Sequence, residues 1–143
     1  MNPQNGYDIE DLSVGQSASI AKTITEADIL LFSAVSTDTN AAHMNEEFAK
    51  GTMFKGRIAH GMLSAGLISA VLGNRLPGPG TIYMGQTLRF TAPVRPGDTV
   101  TATATVKELI PEKKRAILTT ICSVNGKNVI EGEATVMCTT SKK

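Results

Sequence analysis

The 143-residue sequence has no tryptophan, and its other large aromatic residues are only four Phe and two Tyr. Proteins that bind single-stranded nucleic acid stack bases on aromatic side chains, and this chain offers few. It also has no excess of positive charge, since 14 Lys and Arg residues and 13 Asp and Glu residues give a net charge of +1. Because nucleic-acid binding depends on a basic stripe that neutralises phosphates, both shortages argue against a nucleic-acid partner.

Cysteine is scarce as well, and the two residues, Cys122 and Cys138, are too few for a disulfide framework. The first eleven residues hold three acidic side chains and no apolar run, so no signal peptide is expected. The longest stretch without a charged residue, Ile58–Asn74, contains one His, two Ser and three Gly, which favours a buried helix over a membrane span. We therefore expect a cytoplasmic protein with no membrane partner.

The length of the chain fits a single domain over residues 1–143. A mixture of Ser, Ala, Ile and Thr over Gln16–Thr23 indicates a first strand. Thr25–Asp28 then matches the Ser/Thr-x-x-Asp/Glu signature of a helix start, and the apolar residues that follow predict a helix to about Ser36. Turn-forming residues predict a loop over residues 37–43, followed by a further helical turn over 45–49.

A long helix is predicted over Ile58–Leu76, where apolar residues cover nearly every side. Beyond it, period-two alternation predicts four antiparallel strands over residues 81–91, 99–106, 115–124 and 127–139. A helix that is buried on nearly all sides needs a sheet that curls around it. The sequence therefore predicts an α+β fold, in which one curved antiparallel sheet wraps a long central helix and a second subunit serves as a lid.

The dipeptide Asn125–Gly126 predicts a tight turn between the last two strands. A hairpin centred there pairs residues whose numbers sum to 251, which places Cys122 opposite Val129 and Cys138 opposite Lys113. The two cysteines are then not cross-strand neighbours, so no disulfide between them is expected.

Asp38 and His43 are the first candidates for chemistry, because they can converge if the segment between them is a loop. An Asp carboxyl is ionised at neutral pH and a His ring is mostly neutral, so such a pair can take a proton from water and return it elsewhere. The alternative is that Asp38 caps the loop and His43 is merely exposed. For Asn40, which lies between them, a structural role in shaping the loop is favoured.

His60 and Gly61 open the long helix, where the first backbone N–H groups have no helical partner. In a dry site the Gly61 N–H can polarise a carbonyl as charge builds on its oxygen, and the missing Cβ allows an acyl group to approach. Packing alone would also explain Gly61, and His60 is more typical of a structural helix start. Ser69 needs a hydrogen-bond partner, which is either a backbone carbonyl one turn back or Asp38.

A metal site is not expected. Asp38, His43 and His60 could bind a cation in principle, but the sequence has no His-x-x-x-His and no paired-cysteine spacing. It also contains no Gly-x-Gly-x-x-Gly and no Gly-Lys-Ser/Thr, so nucleotide-phosphate loops of those types are absent.

Two segments together resemble the hydratase-2 motif of the MaoC-like (R)-specific enoyl-CoA hydratases. They are Asp38–His43, which has the Asp-x-Asn-x-x-His core, and Arg57–Leu63, which contains His-Gly-Met. The resemblance continues in order through residues 72–78, 83–86 and 93–98 and covers about residues 10–140. It departs at Thr37, where the family usually has Gly, and at Ala41–Ala42, where it has Pro and a larger aliphatic residue.

The resemblance implies a hot-dog fold that forms a homodimer or a higher assembly of dimers. It also implies that Asp38 and His43 are the catalytic dyad, that the Gly61 N–H binds the thioester oxygen, and that Ser69 supports the site together with Asn40 and His60. The implied reaction is reversible (R)-specific hydration of trans-2-enoyl-CoA, as in fatty-acid metabolism or polyhydroxyalkanoate precursor supply. It needs no cofactor, because coenzyme A is part of the acyl-CoA substrate.

Two other functions stay open at this point: a hot-dog acyl-CoA thioesterase, and a non-catalytic acyl-CoA binding module. Release of free thiol would favour the first, and tight binding without turnover would favour the second. The sequence leaves acyl length and the choice between coenzyme A and acyl-carrier protein undecided. It also offers several basic residues for the nucleotide phosphates: Lys55, Arg57, Arg75, Arg89 and Arg95.

Overall fold

The computed structural model describes residues 1–142 and contains one antiparallel sheet and four helices. The helices are α1 (Glu26–Ser36), α2 (Ala41–Met44), α3 (Glu46–Lys50) and α4 (Gly61–Asn74). The strands are β1 (Ser17–Thr23), β2 (Ile82–Gln86), β3 (Arg89–Phe90), β4 (Thr99–Ile110), β5 (Arg115–Val124) and β6 (Lys127–Met137). Among the described residues, no helix is long and apolar enough to cross a membrane.

The sheet has the strand order β1-β4-β5-β6-β2, and the short β3 pairs with β6 beside β2. Helix α4 packs against β1, β2, β4 and β5, so the sheet curves around it. The buried side chains of α4, among them Ile68, Val71 and Leu72, join those of the strands in one apolar core. The predicted α+β architecture is confirmed.

Helix α1 begins where the sequence predicts it. The Thr25 Oγ1 accepts a hydrogen bond from the Asp28 N–H at 3.1 Å, and the Asp28 carboxylate accepts one from the Thr25 N–H at 2.9 Å. These reciprocal bonds satisfy backbone donors that the first helical turn leaves without partners, and they fix the start of the helix.

Helix α4 is shorter than the predicted helix over Ile58–Leu76 at both ends, because residues 58–60 and 75–76 lie outside it. The Ala59 N–H donates to the Val94 carbonyl rather than to a helical partner. The prediction that this helix is buried on nearly all sides does not hold within one chain. Met62, Gly66 and Ser69 lie on an exposed face. The predicted strand over residues 81–91 is interrupted between β2 and β3.

The final hairpin confirms the predicted turn but not the predicted register. Asn125 and Gly126 have φ of 51° and 80°, as a two-residue turn of this type requires. A one-residue shift between Cys122 and Ser123 then places Cys122 opposite Ile130, so its predicted partner Val129 was wrong. The Cys138 N–H donates to the Lys114 carbonyl, so the predicted pairing of Cys138 with Lys113 was also wrong.

Both cysteines are free and buried, and burial raises the pKa of each thiol to about 11. They are therefore protonated and unreactive at neutral pH.

Candidate active site

A cavity of about 450 Å³ lies at the N-terminal end of α4. Its walls come from the loop after α1, from the segment before α4, from the chain between β3 and β4, and from β6. They are mainly apolar, with a few polar groups, which is the usual character of a small-molecule site. The residues that line it are Asp38, His43, Met53, Phe54, Ile58, Ala59, His60, Gly61, Met62, Ser64, Phe90, Thr91, Ala92, Pro93, Val94, Val129 and Ile130.

The loop that carries Asp38 is held by its own side chains. The Asp38 Oδ1 accepts a hydrogen bond from the Asn40 N–H at 3.2 Å, and the Asn40 Oδ1 accepts one from the Ala42 N–H at 2.9 Å. Asn40 is therefore the N-cap of α2 and shapes the loop without lining the cavity.

Thr37, where the sequence departs from the family pattern, has a φ of 65°. This left-handed conformation suits Gly and costs a residue with a β-carbon roughly 1–2 kcal/mol. The departure therefore places strain at the turn that leads from α1 to Asp38.

His43 presents one ring nitrogen as a base. Its Nδ1 lies 2.8 Å from the Ile58 carbonyl oxygen, which can only accept a hydrogen bond. Nδ1 must therefore carry the proton, and Nε2 of the neutral ring has a free lone pair. The ring is partly buried and lines the cavity.

His60 lies behind the two candidate catalytic groups and contacts both. Its Nε2 donates to the Asp38 backbone carbonyl at 2.9 Å, and its ring stacks on the His43 ring with centroids 3.9 Å apart. Its exposed fraction is 2%. The Ser33 hydroxyl lies 3.1 Å from the same Nε2, and the Phe32 ring packs against the imidazole with centroids 4.8 Å apart. His60 is thus placed to position Asp38 and His43.

Polar atoms of Asp38, His43 and His60 lie within 4.8 Å of one another. The loop after α1, which carries Asp38, and helix α2, which carries His43, therefore bring together the predicted carboxylate and imidazole. The predicted loop over residues 37–43 was wrong from Ala41 onward, because Asn40 caps a short helix there. The same cluster is the one group among residues 1–142 that could hold a metal ion. The two imidazole rings in this cluster are stacked, with planes inclined by 27°.

Gly61 is the first residue of α4, and its N–H has no partner within the helix. The residue lines the cavity that contains Asp38 and His43. A β-carbon built at Gly61 would lie 2.5 Å from the Phe90 ring, so this ring covers the space that the missing side chain leaves.

Ser69 does not join this group. It lies eight residues beyond Gly61, about 12 Å along the helix, on the exposed side of α4 and outside the cavity lining. The serine that lines the cavity is Ser64, which the sequence analysis did not select. Its position three residues after Gly61, and hence on the same helical face, was the available signal.

Two of the five basic candidates for phosphate binding are engaged in structural contacts. Arg57 pairs with Glu26 at 2.6 Å and with Glu46 at 3.3 Å, and Glu26 raises the pKa of its guanidinium further. The Arg95 guanidinium donates to the Phe54 carbonyl. Within residues 1–142, the other three form no ion pair: Lys55, Arg75 and Arg89.

A known protein family matches most of this chain. The family model described as the MaoC-like domain matches residues 12–133. The chain belongs to the MaoC-like family. It is also 68% identical over 128 residues to an (R)-specific enoyl-CoA hydratase of Rhodospirillum rubrum, a match that covers 90% of this chain and 89% of that protein.

Solved structures of the family have the same fold. An unliganded R-hydratase from Pseudomonas aeruginosa has a TM-score of 0.90 and 47% identity, over 95% of this chain and 88% of that one. The (R)-hydratase from A. caviae, described as involved in polyhydroxyalkanoate biosynthesis, has a TM-score of 0.88 and 43% identity, over 90% of this chain and 98% of that one. The predicted hot-dog fold and family membership are confirmed.

Proposed function

We propose that this MaoC-like chain is an (R)-specific enoyl-CoA hydratase, which adds water to trans-2-enoyl-CoA and removes it from (R)-3-hydroxyacyl-CoA. One observation carries the proposal: Asp38, His43 and the helix-start residue Gly61 line one largely apolar cavity. The 68% identity to an (R)-specific enoyl-CoA hydratase supports the same reaction. The thioesterase and the non-catalytic binding module have no comparable support.

The geometry suggests how these groups share the reaction. Asp38 and the free Nε2 of His43 hold the attacking water from one side of the substrate. The water oxygen bonds to C3 while one of its O–H bonds breaks and the pair of Asp38 and His43 takes the proton. The same pair returns a proton to C2. Charge that develops on the thioester oxygen is stabilised by the Gly61 N–H, and one such donor is worth about a hundredfold or more in rate.

We also propose that the reaction uses no resident metal or redox cofactor, since Asp38 and His43 can perform each proton transfer and the Gly61 N–H can stabilise the charge on the thioester oxygen. Dialysis against a chelator is expected to leave the rate of crotonyl-CoA hydration unchanged. A loss of activity that Zn²⁺ restores would instead assign a metal to the cluster of Asp38, His43 and His60.

The direct test of the function is incubation of the wild-type protein with crotonyl-CoA and chiral analysis of the product. We expect loss of the enoyl absorbance and formation of one enantiomer of 3-hydroxybutyryl-CoA, because both candidate groups act from one side. The (R) form is expected from the specificity of the R. rubrum relative. Release of free coenzyme A without hydration would identify a thioesterase. Binding without either product would identify a binding module.

We propose further that the protein is a homodimer that works in the cytoplasm. Strand β2 is an edge of the sheet, and its apolar side chains Ile82, Tyr83 and Met84 are exposed. The other edge strand, β1, is mainly polar, so β2 is the better candidate for pairing with a second copy. Supply of hydroxyacyl groups for polyhydroxyalkanoate synthesis, the pathway given for the A. caviae relative, is the proposed use.

A further inference from the structure

Ser64 is a buried polar residue whose hydroxyl has no partner. Its exposed fraction is 0%, and its Oγ forms no hydrogen bond with any of residues 1–142. Serines within helices commonly satisfy their hydroxyl on a carbonyl one turn back, but this one does not. A buried hydroxyl left without a partner destabilises the folded state, so its presence calls for an explanation.

The position of Ser64 in α4 gives its side chain a direction. Side chains of a helix lean toward its N-terminus and lie over the residues three and four positions earlier. For Ser64 these residues are Gly61 and His60, and all three line the cavity. The unpartnered hydroxyl is therefore on the side of the helix where the Gly61 N–H is also without a helical partner.

The opposite side of Ser64 is closed. Its own carbonyl accepts a weak bond from the Cys122 thiol at 3.7 Å, and Val129 and Ile130 of β6 form the adjacent cavity wall. Apart from Asp38, the two histidines and Thr91, whose hydroxyl donates to the Asn128 carbonyl, the side chains that line the cavity beside Ser64 are apolar. The oxygen of a bound acyl thioester would therefore supply the acceptor that the Ser64 hydroxyl lacks.

We propose that the Ser64 hydroxyl is a second hydrogen-bond donor to the thioester oxygen of the substrate, beside the Gly61 N–H. This inference rests on the proposed hydratase function and adds a catalytic residue to it. A donor that strengthens its bond as charge grows on the oxygen lowers the barrier more than it tightens substrate binding. Removal of the hydroxyl should therefore reduce kcat more than it raises KM.

The test compares Ser64→Ala with the wild type and with Ser13→Ala, which removes the same hydroxyl from an exposed serine outside the cavity. Alanine favours the helix and relieves an unsatisfied group, so Ser64→Ala is expected to melt at or above the wild-type temperature. Its kcat for crotonyl-CoA is expected to fall at least about tenfold. Its kcat for six- and eight-carbon enoyl-CoA substrates should fall by a similar factor. Ser13→Ala should retain wild-type activity.

A binding measurement separates this inference from the proposed function. 2,4-Hexadienoyl-CoA absorbs at longer wavelength when its thioester oxygen is polarised by hydrogen bonds. The probe is added to Asp38→Asn and to Asp38→Asn/Ser64→Ala, in which turnover is blocked, and the red shift is expected to be smaller in the double variant. An equal red shift, an unchanged kcat, or an effect confined to longer substrates would overturn the role of Ser64.

The remaining outcomes are also decisive. If the wild type fails to hydrate crotonyl-CoA but the red shift still depends on Ser64, the proposed function fails and the thioester contact stands. If the wild type neither hydrates crotonyl-CoA nor binds the probe, both are rejected.

Discussion

At the scale of single residues, the contact between Gly61 and Phe90 sets the space above the first amide of α4. Because a β-carbon at position 61 would lie 2.5 Å from the Phe90 ring, Gly61→Ala must displace that ring. Phe90 has an exposed fraction of 52%, so the ring can move and the fold should survive. We expect a melting temperature close to that of the wild type and a loss of crotonyl-CoA hydration of at least tenfold.

The double variant Gly61→Ala/Phe90→Ala shows which neighbour the new methyl group disturbs. Recovery of activity relative to Gly61→Ala would assign the loss to the displaced ring. If activity stays low, the substrate itself needs the space above Gly61. Wild-type activity in Gly61→Ala alone would contradict both explanations.

The sequence predicted the positions of Asp38, His43 and Gly61 because a loop and a helix start are local features that a motif can carry. The stacking of His60 on His43 depends on the packing of segments 17 residues apart and left no local signal. Ser69 was selected as a polar residue in an apolar helix. Its distance from Gly61 along the helix makes the three-residue neighbour Ser64 the better choice.

At the scale of elements, the segment before β1 is bound to the end of the chain after β6. The Glu10 carboxylate accepts hydrogen bonds from the Ser141 N–H at 2.7 Å, from the Ser141 hydroxyl at 2.9 Å and from the Thr140 hydroxyl at 2.7 Å. These donors, the Ser141 N–H first, lower the pKa of Glu10 to about 2.

This shift predicts a pH-dependent contribution to stability. The folded-state pKa of Glu10 lies below the ordinary value, so its contribution is complete above about pH 5 and is lost as pH falls towards 2. Glu10→Gln should therefore melt below the wild type at neutral pH, and the difference should shrink as pH falls from 5 to 2. Thermal melts across this range check the expectation.

Glu112→Gln is the matched control, because Glu112 is exposed and forms no ion pair within residues 1–142. It should follow the wild type at every pH. A difference between Glu10→Gln and the wild type that stays constant down to pH 2 would show that the ionised Glu10 carboxylate is not the source of the stabilisation.

Element boundaries were harder to predict than element types. Ile58 and Ala59 are apolar like the helix that follows, but Ala59 bonds to Val94, a partner distant in sequence. The register of the last hairpin was wrong by one residue because a bulge inserts Val129 into β6. Alternation cannot reveal such an insertion where Val129 and Ile130 are both buried.

At the scale of the whole molecule, strand β2 ends the sheet with exposed apolar side chains, and the proposed homodimer would pair this edge with a second copy. Ile82→Lys places a charge on that edge, and edge lysines oppose strand pairing. We expect the wild type to elute at about 30 kDa, twice the chain mass of 15.1 kDa, and Ile82→Lys to shift toward the monomer. Size-exclusion chromatography with light scattering measures both.

Val14→Lys provides the control, since Val14 is an equally apolar, exposed residue in the turn before β1. It should leave the mass at about 30 kDa. A monomeric wild type, or the same mass for both variants, would contradict pairing through β2.

The single domain over residues 1–143 stays a prediction of the sequence.

The most direct test of the account is the hydration rate of Asp38→Asn and His43→Ala with crotonyl-CoA, with circular dichroism to show that both variants fold. General acid–base groups of this kind contribute roughly 10²–10⁴-fold to a rate. The account predicts that each substitution lowers kcat by that order while the folded structure persists. Folded variants whose rates stay within a few-fold of the wild type would contradict it.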